Sequence, residues 1–338
     1  MGMTRDELDT ALDEWALDAL DEPTRTQVER DLLAFPDLAR RADGLRRVTA
    51  LLGENLATSP PAELRDRVLG AATSRSAASR VTPSTPFEVF EHQVADLRAL
   101  LASLEPGEWA AEAAPYAWTV HGLVAHLLVI ERYTAQQLGI EDVGAYEPDE
   151  HHLALGAEEI RHELMRAPQD TVNAWDRCAG ATIAALGADP EMDAGRNVIM
   201  HGWPFTVGSV LIARGFEVWT HADDIRRALG RPLASPTAAD LRSMSSFSVA
   251  SLPLLVPVVE PLVPVGPSRV VLTGAGGGTF DLPGAHHDDG RQVTIVTDIV
   301  DYCRVVARRI SPDELEATIE GDGQLAGALF AAARVFAM

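Results

Sequence analysis

Residues 214–230, RGFEVWTHADDIRRALG, constrain this chain more than any other stretch. Phe216, Trp219, Ile225 and Leu229 recur at helical spacing and predict one amphipathic helix with that side buried. Glu217 and His221 are four positions apart, so they stand one turn apart on one face. A carboxylate and an imidazole held that way can grip one metal ion, as the i, i+4 histidines of a zinc-protease helix do. The same spacing also describes an ordinary solvated helix pair. Asp223, Asp224, Arg226 and Arg227 follow and read as surface charge, with one aspartate able to orient His221.

A second helix is predicted over residues 118–138, where Val120, Leu123, Val124, Leu127 and Ile130 keep helical spacing. His126 falls among these apolar residues, where an imidazole needs partners for its nitrogens. By itself it reads more often as a satisfied core histidine than as a ligand. His121, five positions earlier, points elsewhere on the helix and is expected at the surface.

Together, Trp118 to Leu127 and Arg214 to Gly230 resemble the mycothiol-dependent maleylpyruvate isomerase family, relatives of the DinB-like four-helix bundles. The first stretch follows a Trp-x7-His-Leu pattern and the second Arg-x-x-Glu-x-x-x-His-x-x-Asp. The resemblance implies that His126, Glu217 and His221 hold one zinc ion, with mycothiol as a possible second cofactor. Three protein ligands would leave a fourth position open for water or a thiolate.

The rest of the chain is organised around that bundle. Over residues 1–72 Leu8, Leu12, Trp15 and Leu20 form an apolar stripe among acidic residues, and short helices follow, the last carrying Leu64, Val68 and Leu69. This segment resembles the anti-sigma domains that grip alternative sigma factors. Where many of those domains have His-x-x-x-Cys-x-x-Cys, this chain has Asp31, Phe35 and Leu38, so no zinc is expected there. Apolar packing would staple the small domain instead. The resemblance implies that Trp15, Leu20, Leu64, Val68 and Leu69 contact a sigma factor of the extracytoplasmic-function type.

Residues 73–86, TSRSAASRVTPSTP, have linker composition. The bundle is expected over 87–245, with a loop at 189–205 carrying His201 as a substitute ligand candidate. The pair His151-His152 reads as surface, because adjacent helical residues diverge by about 100°. Residues 246–338 are expected to form an α+β domain, with strands at 268–273, 291–297 and 315–319, and helices at 298–309 and near the end. The glycine run at 274–278 lacks the Lys-Ser/Thr of a phosphate loop and reads as a turn. In the isomerase family an arginine of this domain reaches toward the metal, and Arg309 stands at that place. The fold class is therefore mainly α with an α+β C-terminal domain.

Fifty acidic against 28 basic residues give a net charge of -22, which argues against direct nucleic-acid binding. The two cysteines, Cys178 and Cys303, have no metal or disulfide spacing, and a reducing cytoplasm is expected. The apolar run 252–265 is interrupted by four prolines and Glu260, so no membrane helix is expected there. Two functions follow. The favoured one is a cytoplasmic anti-sigma factor that sequesters its sigma factor and uses the zinc-binding bundle as sensor or scaffold. The alternative is a mycothiol-dependent zinc isomerase or thiol transferase with an N-terminal docking module and a small thiol ligand.

Overall fold

The computed structural model describes residues 3–17, 19–32, 35, 37–42, 44–45, 49, 81–115, 118–140, 152–187, 194–200, 202–284 and 292–336. The chain divides into two compact units, Met1–Val68 and Leu69–Met338.

In the first unit, helices α1 (Arg5–Ala16) and α2 (Glu22–Leu32) pack on each other. A capping box starts α1, in which Thr4 accepts from the Glu7 backbone and Glu7 returns the bond. Leu8, Leu12, Trp15, Val28, Leu32, Leu38 and Ala42 form the core, with Leu20 and Phe35 packed against it. Asp31 accepts from the Met3 backbone at 2.6 Å and from Gln27 at 2.7 Å. Leu64, Val68, Leu69 and residues 73–80 of the linker lie outside the described residues.

In the second unit four helices pack in a ring: α3 (Pro86–Ala102), α4 (Val120–Gln137), α6 (Pro168–Gly187) and α7 (Val207–Ala228). Helix α3 lies on α7 and α6, and α4 on α6 and α7, with α5 (His152–Glu163) beside α4. Threonine N-caps start the helices that matter most. Thr85, Thr119 and Thr206 accept from the backbone three residues on, which satisfies amides that have no helical partner. Short strands β1 (Glu112–Ala113) and β2 (Trp118–Thr119) pair at the entrance to α4. The expected loop before α7 is instead partly a hairpin, β3 (Asn197–Met200) with β4 (Trp203–Thr206). Val198 and Met200 alternate inward along β3, a two-residue period too short to stand out in the sequence.

Helix α8 (Ala238–Val259) follows α7 and runs through positions 245 and 246, where a domain boundary was expected. Its polar first half hid it, and so did Pro253 and Pro257, which lie inside the helix. Pro257 is exposed, where a lost backbone bond is repaid by water. By length and composition this helix can cross a membrane, with a mean hydropathy of 1.3 and 39% of its most apolar window buried. Its inner side, Leu241, Met244, Val249, Leu252 and Val256, belongs to the second core.

The remaining elements are a four-stranded sheet and two helices. Strands β5 (Ser268–Thr273), β6 (Gly278–Leu282), β7 (Val293–Asp298) and β8 (Ala317–Gly321) take the order β6-β5-β7-β8. β5 and β7 are parallel, with Ser268 opposite Val293, and the two edge strands are antiparallel to them. Helices α9 (Ile299–Val306) and α10 (Gly323–Ala333) pack with α8. The glycine run makes the β5–β6 turn as expected, but it also receives α8. A Cβ at Gly276, where φ is +86°, would stand 2.1 Å from the Ala238 carbonyl oxygen. Arg242 of α8 fills the space over Gly278 and donates to the Gly277 carbonyl at 3.1 Å.

Helix α7 is shared between two cores. Val218, Ala222 and Ile225 belong to the bundle core, whereas Ile212, Phe216 and Trp219 belong to the core built around α8 and the sheet. That double burial corrects the surface reading of its charges. Asp223, Asp224 and Arg226 are all buried.

Candidate metal centre

Helices α4 and α7 bring His126, Glu217 and His221 together. One donor atom from each lies within 4.8 Å of the other two. The one-turn spacing places Glu217 and His221 on the same side of α7, and the α4–α7 packing supplies His126 opposite them. His126 Nε2 stands 2.9 Å from Glu217 Oε1. The two imidazoles meet edge to face, with ring centroids 5.2 Å apart.

Each donor is held from behind. His221 Nδ1 is 3.0 Å from Asp224 Oδ2, so the ring presents Nε2 to the site. Burial pushes the His221 pKa down, which favours the neutral imidazole that a metal needs. Asp224 is in turn gripped by Arg309, which donates from Nε at 2.8 Å and from Nη2 at 2.5 Å. Burial raises the Asp224 pKa, but the bonds from His221 and Arg309 outweigh it and hold the carboxyl below its usual range. Arg309 was expected to reach toward the metal site, and it stands one residue behind His221, on Asp224. The turn that aims it puts Arg308 at φ +58°, the described non-glycine residue with a positive φ.

Glu217 is anchored by Arg214, whose Nη1 donates to Oε2. Nη2 of the same guanidinium donates to Glu131 Oε2 at 2.9 Å. Burial pushes the Glu217 pKa up, yet Arg214 and then His126 drive it far below the usual carboxylate range. Glu131, fully buried, is pushed up by burial. Sequence reasoning missed Glu131 as part of the site. The signal was present as a lone acid closing the apolar run Leu127-Leu-Val-Ile130.

Trp118 lies against His126, with ring centroids 4.9 Å apart. Gly122 makes room for it, since a Cβ there would come 3.1 Å from the Trp118 Cβ. His121 is not at the surface. It is buried, with Nε2 3.0 Å from Thr171 Oγ1, because α6 covers that side of α4. His151 and His201 lie outside the described residues, as does the side chain of His152. Cys178 and Cys303 are buried free thiols. Burial raises the Cys178 pKa to about 12 and also pushes Cys303 up.

The donor set fits a divalent ion such as zinc. It comprises two imidazoles and a carboxylate, with buried partners fixing two of the three.

Residues 90–226 match the family model for the mycothiol maleylpyruvate isomerase N-terminal domain. That span begins inside α3, ends inside α7, and contains all three donors, Glu131 and Arg214. An uncharacterized protein of Mycobacterium tuberculosis, found in two strains, is 27% identical over 231 residues, covering 67% of this chain and 86% of its own length. A crystal structure of the mycothiol-dependent maleylpyruvate isomerase is also similar, at 18% identity and a TM-score of 0.47, covering 69% of this chain and 91% of that one.

Proposed function

We propose that this chain is a zinc-dependent enzyme that uses a small thiol, mycothiol by its likeness to the isomerase domain, to isomerise or transfer a reactive unsaturated substrate. The observation that carries this reading is the convergence of His126, Glu217 and His221 from two helices, inside the segment matching that domain. When bound, a divalent ion there supplies a Lewis acid that lowers the pKa of a thiol or water. The chain's own residues hold the donors. Asp224 and Arg309 fix the His221 ring, Arg214 fixes Glu217, and Trp118 covers the His126 ring. The thiol must come from outside, because Cys178 and Cys303 are buried and stay protonated near neutral pH. Two free thiols suit a reducing cytoplasm, and the reading is of a cytoplasmic enzyme.

The test is elemental analysis of protein purified without added metal, followed by maleylpyruvate turnover with and without mycothiol. About one zinc per chain and thiol-dependent turnover are expected. Full metal occupancy in a His126→Ala, His221→Ala double variant would overturn the ligand assignment.

A second reading attaches to Met1–Val68 as a docking module for a sigma factor. Its support is that this segment forms a compact unit with its own apolar core. Trp15 and Leu20 belong to or pack against that core, so both would have to serve the core and the interface. The anti-sigma function yields first place to the enzyme, because the family-model match and the metal-ligand cluster both lie on the bundle. A pulldown from an actinobacterial lysate that recovers no sigma factor with the full chain would remove it.

A further inference from the structure

We propose that Arg214, backed by Glu131, is a positioning residue that forces Glu217 to bind its metal through one oxygen only. The inference rests on the metal reading above. The guanidinium of Arg214 lies between two carboxylates, one of them a predicted ligand. Its side chain is 3% exposed and that of Glu131 is 0% exposed. Such a triad is costly in an otherwise apolar bundle, because buried charges lose their hydration. The cost is not fully offset here, since among the described residues Arg214 Nε is buried without a hydrogen-bond partner. An apolar trio of the same volume would pack the helices as well, so packing does not explain these three residues.

Geometry does. Arg214 and Glu217 are i, i+3 on α7, so the guanidinium reaches only the far oxygen of the carboxylate, Oε2. Oε1 is left facing His126 Nε2. Turning that carboxylate to offer both oxygens to an ion would distort or give up its charge-assisted bond to a buried guanidinium. Glu131 has its own task. It accepts a hydrogen bond from Arg214 and so pins the guanidinium from α4. A bound ion would then be held by one atom from each of His126, Glu217 and His221, which would leave the next position of a four-coordinate site open. A two-oxygen carboxylate would fill that position and block the incoming thiol.

Cobalt(II) reads this directly, because a four-coordinate cobalt site absorbs visible light strongly and a five- or six-coordinate one weakly. The measurement uses the full chain loaded with cobalt, with zinc affinity from competition against a chromophoric chelator. The main variant is Arg214→Met/Glu131→Met, which removes the two fully buried charges together and leaves only the far oxygen of Glu217, a 29% exposed side chain, without its guanidinium. Arg214→Lys serves as the conservative variant, since one ammonium replaces the fork of the guanidinium. For the double variant we expect a cobalt spectrum of clearly lower intensity and zinc affinity roughly 10–100-fold weaker, with Arg214→Lys in between. A wild-type spectrum and affinity in either folded variant overturns the proposal while leaving the metal site intact. Failure of the unmutated chain to bind cobalt or zinc overturns the metal reading itself, and the proposal with it.

Discussion

Arg309 joins the sheet region to the ligand helix, and removing its charge should cost both stability and metal affinity. The guanidinium makes two hydrogen bonds to Asp224, whose side chain is 0% exposed against 7% for Arg309. Substituting Arg309→Met leaves the Asp224 carboxylate buried with less compensation. Truncating one partner of a buried ion pair costs roughly 3–5 kcal/mol. Asp224 keeps His221 at 3.0 Å and Arg227 at 3.4 Å, which argues for the lower end of that range. At about 2–4 °C per kcal/mol for a domain of this size, a loss near 3 kcal/mol lowers the melting temperature by roughly 6–12 °C. The zinc affinity should fall as well, by roughly 10–100-fold, because His221 loses its fixed orientation. Thermal unfolding and chelator competition on the full chain measure the two effects. Adding Asp224→Asn completes a double-mutant cycle. The double variant should lose less than the sum of the single losses, by about 1 kcal/mol or more, because no orphan carboxylate remains. An Arg309→Met protein that melts and binds zinc like wild type, yet loses turnover, would refute this. Arg309 would then touch the substrate rather than act through Asp224.

Gly215 lets α3 and α7 approach closely, since a Cβ there would stand 2.7 Å from Val89 Cγ1. Gly215→Ala should therefore destabilise by about 1–3 kcal/mol of overpacking, offset by up to ~1 kcal/mol of helix propensity. The same change in a Val89→Ala background should be neutral or stabilising by urea denaturation. Burial lowers the His121 pKa below the ordinary 6.5, so the unfolded chain binds that proton more readily. The contribution of neutral His121 is intact above 6.5 and lost as pH falls through the folded value. The urea midpoint should therefore drop more steeply below that pH in wild type than in His121→Gln. Cys178 and Cys303 should resist a thiol reagent at neutral pH in the native protein and both react after denaturation, because burial raises their pKa values. Rapid native labelling of either would contradict that placement.

Much of the site was legible along the chain because its parts are local. The i, i+4 pair Glu217 and His221 needs only a helix to share a face, and the helix spacing around them held. The second helix held too, and its register set which side His126 would present. The strands expected at 268–273 and 291–297 formed at Ser268–Thr273 and Val293–Asp298, in runs rich in β-branched residues. What failed were judgements about which face meets water. Asp223 and Asp224 read as surface charge because amphipathicity assigns a polar side to solvent. Tertiary structure buries that side: the Ala234 backbone donates to Asp223, and Arg304 and Arg309 reach Asp223 and Asp224 from far along the chain. His121 was misread for the same reason, since α6 and Thr171 close over it. Helix α8 was hidden by prolines that only a packed environment shows to be harmless. Glu131 could not be recognised as a site residue until Arg214, 83 positions away, was placed against it. Local spacing determines which side chains travel together on one helix. Only the packing of helix on helix decides which of them lose water, and a buried charge takes its role from the partner it finds there.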